Sequence, residues 1–141
     1  MDDFLKKMPI PYEPMKKNRW LVKFSEPFSE IQMWWINKAS RPTYTLESKS
    51  WDNMVISLVD PIGQSTSKII LDAIRELGKD SSKSNIKFAL EMLDPTGVMV
   101  ETWVIEGDLI LVDFGELSYD LDESCEIKLH ISPRNVELKF K

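Results

Sequence analysis

Two runs of alternating apolar residues on either side of a tight turn constrain this chain more than any other stretch. In residues 85–93, Ile86, Phe88, Leu90 and Met92 occupy every second position. Asp94-Pro95-Thr96-Gly97 follows, with Asp first, Pro second and Gly fourth, the residue order of a β-turn. Residues 98–106 then return, setting Val98, Val100, Thr102 and Val104 against Met99, Glu101, Trp103 and Ile105. Alternation with a period of two on both sides of a turn predicts an antiparallel hairpin with one buried face.

The same region is chemically one-sided. From Phe88 to Ile127 there is no Lys and no Arg, yet eleven of the chain's 23 acids fall there, from Glu91 to Glu126. All 18 basic residues lie elsewhere, so the net charge of −5 hides a negative segment inside a net positive remainder. Such asymmetry is more informative than the total. Either the acids solvate an ordinary sheet face, or they make an uncompensated surface that repels a polyanion.

At 141 residues the chain is expected to form one domain with a sizeable core. The single cysteine, Cys125, excludes an internal disulfide, and its strand-like surroundings suggest a small buried hydrophobe. No apolar run approaches the ~18 residues of a membrane span, and the N-terminus lacks a signal peptide's apolar core, so folding in a cytoplasm is expected.

Residues 1–18 carry Pro9, Pro11 and Pro14 among lysines, which excludes a helix there. This segment is either a disordered tail or an arm that orders against a neighbouring subunit through Phe4, Met8, Ile10, Tyr12 and Met15. Residues 19–24 alternate through Trp20, Val22 and Phe24. Residues 31–36 (IQMWWI) read as a strand apolar on both faces, and Trp34 with Trp35 is a candidate subunit contact or, alternatively, one core residue and one local cap. A loop at 37–50 leads into a short strand at 43–47, and a stronger strand at 51–60 carries Met54, Ile56 and Leu58 inward. Residues 65–77 are the one convincing helix. Ile69, Ile70, Ala73, Ile74 and Leu77 follow the helical period, Ser65 or Ser67 can cap its start, and Gly78 suits a left-handed stop. Gly107-Asp108 is expected to break the hairpin's second strand before 109–114, and Pro133 with Asn135 to interrupt the last strand by a bulge or turn. The count is seven or eight strands and one helix.

Catalytic motifs are missing: there is no nucleophile elbow, phosphate-binding glycine loop or HExxH. Cys125 and the lone His130 are five residues apart and on opposite faces of a regular strand. Paired carboxylates among Glu101, Glu106, Asp108 and Asp113 leave a glycosidase-like pair or a divalent-cation site open. Asp120-Leu121-Asp122-Glu123 lacks the glycine and spacing of a calcium loop. A plain binding module with an acidic docking surface is the third reading. No cofactor or metal is expected. Nucleic-acid binding through a basic patch finds no support in scattered lysines, because affinity for DNA rests on phosphate neutralisation.

Three stretches carry a family resemblance. They are NRWLVKF with a second strand ending in KASRP (Arg41, Pro42); WDNMVISLVDPIGQSTSKIILDAI, a strand running directly into an amphipathic helix; and WVIEGDLILVDFGELSYDLDESCEIKLHI, with Gly107, Gly115-Glu116-Leu117, Asp120 and Asp122 before a long final strand. In this order and spacing, from about Asn18 to the C-terminus, the chain resembles the tail tube proteins of contractile-tailed (T4-like) bacteriophages. Its segment 37–50 is shorter than the loop that in better-known members contacts the next ring.

The resemblance implies an arm over 1–18 and a tail-tube-like domain over 19–141. The implied fold is mainly β, a small β-sandwich or β-barrel with one flanking helix, whose strands join between subunits into a ring barrel. It implies a structural, non-enzymatic virion protein forming six-fold rings that stack into the tube inside a contractile sheath, a conduit for DNA ejection. Implied partners are further copies of the chain, the tail sheath protein, baseplate and tail terminator proteins, and DNA that passes without specific binding; no membrane is involved. The implied location is the phage tail, assembled in the host cytoplasm. A baseplate tube initiator and a type VI secretion-like tube subunit are related alternatives. Under this reading Glu91, Glu101, Glu106, Asp108 and Asp113 are lumen-lining candidates. Phe4, Ile10, Tyr12, Trp34, Trp35, Arg41 and Pro42 are subunit-contact candidates.

Overall fold

The computed structural model describes residues 14–63, 65–79, 85–120 and 122–140. The strands are β1 (Trp20–Phe24), β2 (Ile36–Lys38), β3 (Tyr44–Thr45), β4 (Ser50–Trp51), β5 (Met54–Val59), β6 (Asn85–Leu93), β7 (Met99–Asp113) and β8 (Glu126–Phe140). One α-helix, α1 (Thr66–Lys79), separates β5 from β6. Six strands form one antiparallel sheet in the order β1-β6-β7-β8-β5-β2, and β3-β4 form a separate hairpin. The sheet curls into a nearly closed, barrel-like form with α1 beside it, the mainly β class expected from the strand count and single helix.

The β6–β7 hairpin forms around the predicted turn. Asp94 Oδ1 accepts hydrogen bonds from the backbone N–H groups of Thr96 (2.8 Å) and Val98 (2.9 Å) and from the Thr96 hydroxyl (2.7 Å). Gly97 takes the left-handed conformation at φ 86°. The Thr96 hydroxyl, followed by the Val98 N–H, holds the Asp94 carboxyl below its ordinary pKa, because these donors favour the charged form.

β7 does not stop at Gly107-Asp108, contrary to the expected break. It runs on for 15 residues, and β8 runs beside it for another 15 through Pro133. Continuity survives because the register slips at Glu106/Gly107 and again at Leu109/Leu111. A bulge absorbs the residue that cannot donate and bends the strand. The bend divides the sheet into two half-sheets that share the β7–β8 hairpin. Residues 99–108 of β7 and 132–140 of β8 extend β1 and β6, whereas 109–113 and 126–131 lie beside β5 and β2. Both halves contribute to a single core: Val22, Phe24, Phe88, Leu90 and Ile105 from one, Ile56, Leu58, Ile127, Leu129 and Ile131 from the other. Phe24 packs its ring 5.6 Å from Phe88 and 6.4 Å from Phe28.

Helix α1 is seated by Ile70 and Ala73, both buried, with Ile69, Ile74 and Leu77 half-buried against the core. Its start is fixed twice. Ser65 Oγ accepts from the Lys68 N–H at 3.1 Å, and Asp60, at the end of β5, accepts from the Thr66 N–H at 3.2 Å and the Ser67 hydroxyl at 2.8 Å. A carboxylate at a helix N-terminus also complements the helix dipole. The predicted left-handed stop at Gly78 is not realised: the helix continues to Lys79, and positive φ among glycines belongs to Gly97 and Gly115. Two further expectations are corrected. Residues 33–35 form a 3-10 turn rather than a strand: adjacent Trp35 and Ile36 are both buried while Met33, on the face a strand would share with Ile31 and Trp35, is exposed, a pattern that alternation cannot give. Cys125 is exposed ahead of β8 rather than buried in it.

Gly107 and Gly78 should respond oppositely to alanine. A Cβ on Gly107 would sit 2.2 Å from the Ser132 carbonyl oxygen and 2.8 Å from Pro133 Cα, both backbone. Gly107→Ala should therefore cost about 1–3 kcal/mol by overpacking. Gly78→Ala meets nothing within 4 Å and should gain up to about 1 kcal/mol of helix propensity. Urea-unfolding midpoints of the two variants check this.

Candidate functional site: the open edges of the barrel

The half-sheet β1-β6-β7-β8 ends in two edges without a strand partner among the described residues. β1 pairs only with β6. β8 pairs with β5 only over 126–131, which leaves 132–140 bonded to β7 on one side and open on the other. Unpaired backbone edges are templates for another strand. The end of β8 also carries apolar side chains on the core-side face beyond the core itself: Leu138, opposite Trp103, is 52% exposed, and Phe140, opposite Glu101, is 75% exposed.

The outward face of this half-sheet holds three of the five lumen candidates. Glu91, Glu106 and Asp108 point away from the core, since their neighbours Leu90, Met92, Ile105 and Leu109 point into it. These acids are not uncompensated, contrary to the simplest reading of the basic-free run. Lys23 Nζ lies 3.7 Å from Glu91, Lys87 stands opposite Glu106, and Arg134 Nε lies 3.5 Å from Asp108. With Glu137 and Lys139 of β8 added, the face presents four acids and four bases. The cations come from positions outside the acid-only run, on β1, at Lys87 near the start of β6 and in the second half of β8, and sheet pairing places them beside it. Asp113 lies on the other half-sheet, opposite Lys128.

Glu101 is placed differently. It shares the core-side face with Trp103 and Ile105 and is 9% exposed. Its Oε1 accepts from the Trp103 indole Nε1 at 2.5 Å and from Arg41 Nη1 at 3.4 Å. Arg41 precedes the β3–β4 hairpin, so this pair ties that hairpin to the start of β7. The hairpin is held internally by an edge-to-face contact between Tyr44 and Trp51, 5.0 Å apart, and by the Thr45 hydroxyl on Asp52 at 2.6 Å. Its tip exposes Leu46, with Lys49 at φ 51°. Pro42 is half-buried beside Arg41.

The tryptophan pair is divided by the 3-10 turn: Trp35 is 6% exposed, in the core, and Trp34 is 72% exposed. Phe4, Ile10 and Tyr12 lie outside the described residues. Two features escaped the sequence reading. The Arg41–Glu101 pair spans 60 residues with no local signal, and the open edge at 132–140 follows from how far β5 reaches along β8. Among the described residues no group of His, Cys, Asp or Glu could hold a metal ion, and no helix is long and apolar enough to cross a membrane.

This architecture is shared with solved components of contractile injection systems. A chain of the anti-feeding prophage tube-terminating cap superposes with a TM-score of 0.66 at 10% identity, covering 100% of both chains. A chain of the extracellular contractile injection system PVC sheath/tube terminator gives 0.65 at 11% identity, over 90% of this chain and 97% of that one. A chain of the anti-feeding prophage baseplate, six-fold symmetrised, gives 0.62 at 14% identity, over 91% and 97%. At these identities the likeness is one of fold. No protein-family model matches the sequence, and no curated protein matches it significantly.

Glu101 should matter more to stability than its partner Arg41. Glu101→Ala leaves a part-buried indole N–H without its acceptor and should cost about 1–3 kcal/mol. Arg41→Ala removes a half-exposed partner and should cost less than about 1 kcal/mol. Chemical denaturation of both variants measures the difference, and equal losses would contradict the assignment.

Proposed function

We propose that the protein is a structural subunit of a contractile tail or injection apparatus, forming head-to-tail rings that build, start or cap its inner tube. The observation that carries this reading is the four-stranded half-sheet with both edges open. Its neighbouring strands are all antiparallel, so β1 and β8 run in opposite directions. When β1 of the next copy is set beside 132–140, the alternation continues unbroken. A heterologous contact of this kind closes into a ring if the rotation closes, and closure removes the edges. Six copies, as the resemblance implies, would contribute about 24 strands, beyond the 16–18 that already leave an aqueous channel in porins.

In such a ring the core-side surface of the half-sheet stays against the rest of the subunit and its opposite face lines the lumen. Glu91, Glu106 and Asp108 would then be lumen residues, and Glu101 would hold the β3–β4 hairpin in place. The balanced charge of that face favours passage of cargo without strong binding, DNA being the cargo the resemblance implies. Trp34 and the hairpin tip are contacts to further copies or to sheath, baseplate or terminator subunits. No reaction is assigned to the protein.

Electron microscopy of the purified protein tests the reading: rings or hollow tubes are expected, and a monomer at every concentration would overturn it. Stacked tubes indicate the repeating subunit, and isolated discs an initiator or cap. Leu138→Lys with Phe140→Lys should abolish the rings while the monomer stays folded by circular dichroism, because both side chains are already exposed. Glu91→Gln with Glu106→Gln should leave assembly intact.

A further inference from the structure

Beyond Asp108, β7 outruns β6, and among the described residues no strand pairs with 109–113 on the side away from β8. Along this further open edge runs an apolar groove of about 430 Å³, lined by Ile74, Leu77 and Gly78 of α1 and by residues 109–112 and Phe114. Ile110, Leu111 and Phe114 are exposed in it. The groove is separate from the edges assigned above to ring closure. An unpaired backbone with apolar pockets beside it accepts an extended segment as an added strand: main-chain hydrogen bonds hold it, and alternate side chains fill the pockets.

The chain itself supplies a segment of that chemistry. Thirteen residues precede the described part, and among them Met8, Ile10 and Tyr12 alternate with Pro9, Pro11 and Glu13. In an extended path successive side chains point to opposite faces, and N–H groups on alternate residues serve the same edge. Met8, Ile10 and Tyr12 would therefore present one apolar face and one donating edge. Pro9 and Pro11 would fall on the other edge, where they have no N–H to offer. A strand with one donating and one proline-blocked edge adds to a sheet and ends it. The charges also complement one another: Lys6 and Lys7 precede the apolar residues, and Asp113 and Glu116 flank Phe114.

We propose that residues 8–12 of one copy add as an edge strand along 109–114 of a neighbouring copy, seating Met8, Ile10 and Tyr12 in the α1–β7 groove. This rests on the assembly proposed above, because the donor belongs to a second copy. The arm links subunits through a surface that ring closure does not use.

The test is disulfide trapping between two different proteins. Cys125→Ser supplies a cysteine-free parent. Ile10→Cys is introduced in one preparation and Leu111→Cys in another. The two are mixed, left to assemble and oxidised, and assembly is followed in parallel by electron microscopy. The proposal expects a disulfide-linked heterodimer as the main product, since a bridge needs Cα atoms within about 7 Å. It also expects this product to fall at least about tenfold when Tyr12→Asp accompanies Ile10→Cys. Assemblies that form normally without the heterodimer would overturn the proposal and leave the ring reading intact. A protein carrying both cysteines that links only within its own chain would overturn it too, placing the arm on its own groove. Absence of both assembly and heterodimer would overturn the two readings together.

Discussion

The structure depends on the contact between Gly107 and the Ser132–Pro133 backbone. At this point two long antiparallel strands come too close for any side chain, and Pro133 has no N–H to give the ladder. The register slip that resolves both problems bends the hairpin and lets one pair of strands serve two half-sheets. Without the bend, β7 and β8 would make one flat extension of β6, and the inward residues of 101–107 and 127–131 could not meet in a common core. The bend also fixes where the edges are. β5 and β2 follow the lower half of β8 away from 132–140, and β6 follows the upper half of β7 away from 109–113. Each half-sheet is left with an open edge on the hairpin that the two halves share.

The hairpin around Asp94–Gly97, the alternation in β5 and β8, and the apolar face of α1 were legible in the sequence because each is a local periodic signal. The expected break at Gly107-Asp108 illustrates the opposite case. Gly and Pro are local punctuation, and nothing in either strand alone says that Gly107 will face Pro133, so that two apparent interruptions become one bulge. The 3-10 turn at Met33–Trp35 was hidden for a similar reason: a continuous apolar run has no period that separates strand from turn. Asp60 as a cap and Arg41 as the partner of Glu101 are tertiary facts, visible only once β5 delivers one to the helix and the 39–43 segment carries the other to the start of β7.

The acid-only run shows how sequence proximity and spatial proximity can carry opposite messages. Along the chain, residues 88–127 contain no cation. Across the half-sheet β1-β6-β7-β8, the three outward acids of that run each meet one from a neighbouring strand: Lys23 for Glu91, Lys87 for Glu106, Arg134 for Asp108. Cross-strand pairs of opposite charge contribute roughly 0.2–1 kcal/mol each, and like charges directly opposite would destabilise. The acid-only segment therefore helps specify which strands lie side by side, because an acid-rich β7 pairs well only with lysine-bearing neighbours.

This bears on what such a face can do in an assembly. A wall of carboxylates alone would repel a polyanion at short range, within a Debye length of about 8 Å at physiological salt. A wall of lysines would hold it by counterion release. A face with the two signs interleaved at strand spacing, ~4.8 Å, does neither, because its field cancels within a distance shorter than the Debye length. In the proposed ring, smoothness toward a passing polymer would come from local neutralisation rather than from net charge. The surfaces available for holding partners are the apolar ones at the edges: Leu138 and Phe140 at the end of β8, and the groove between α1 and β7.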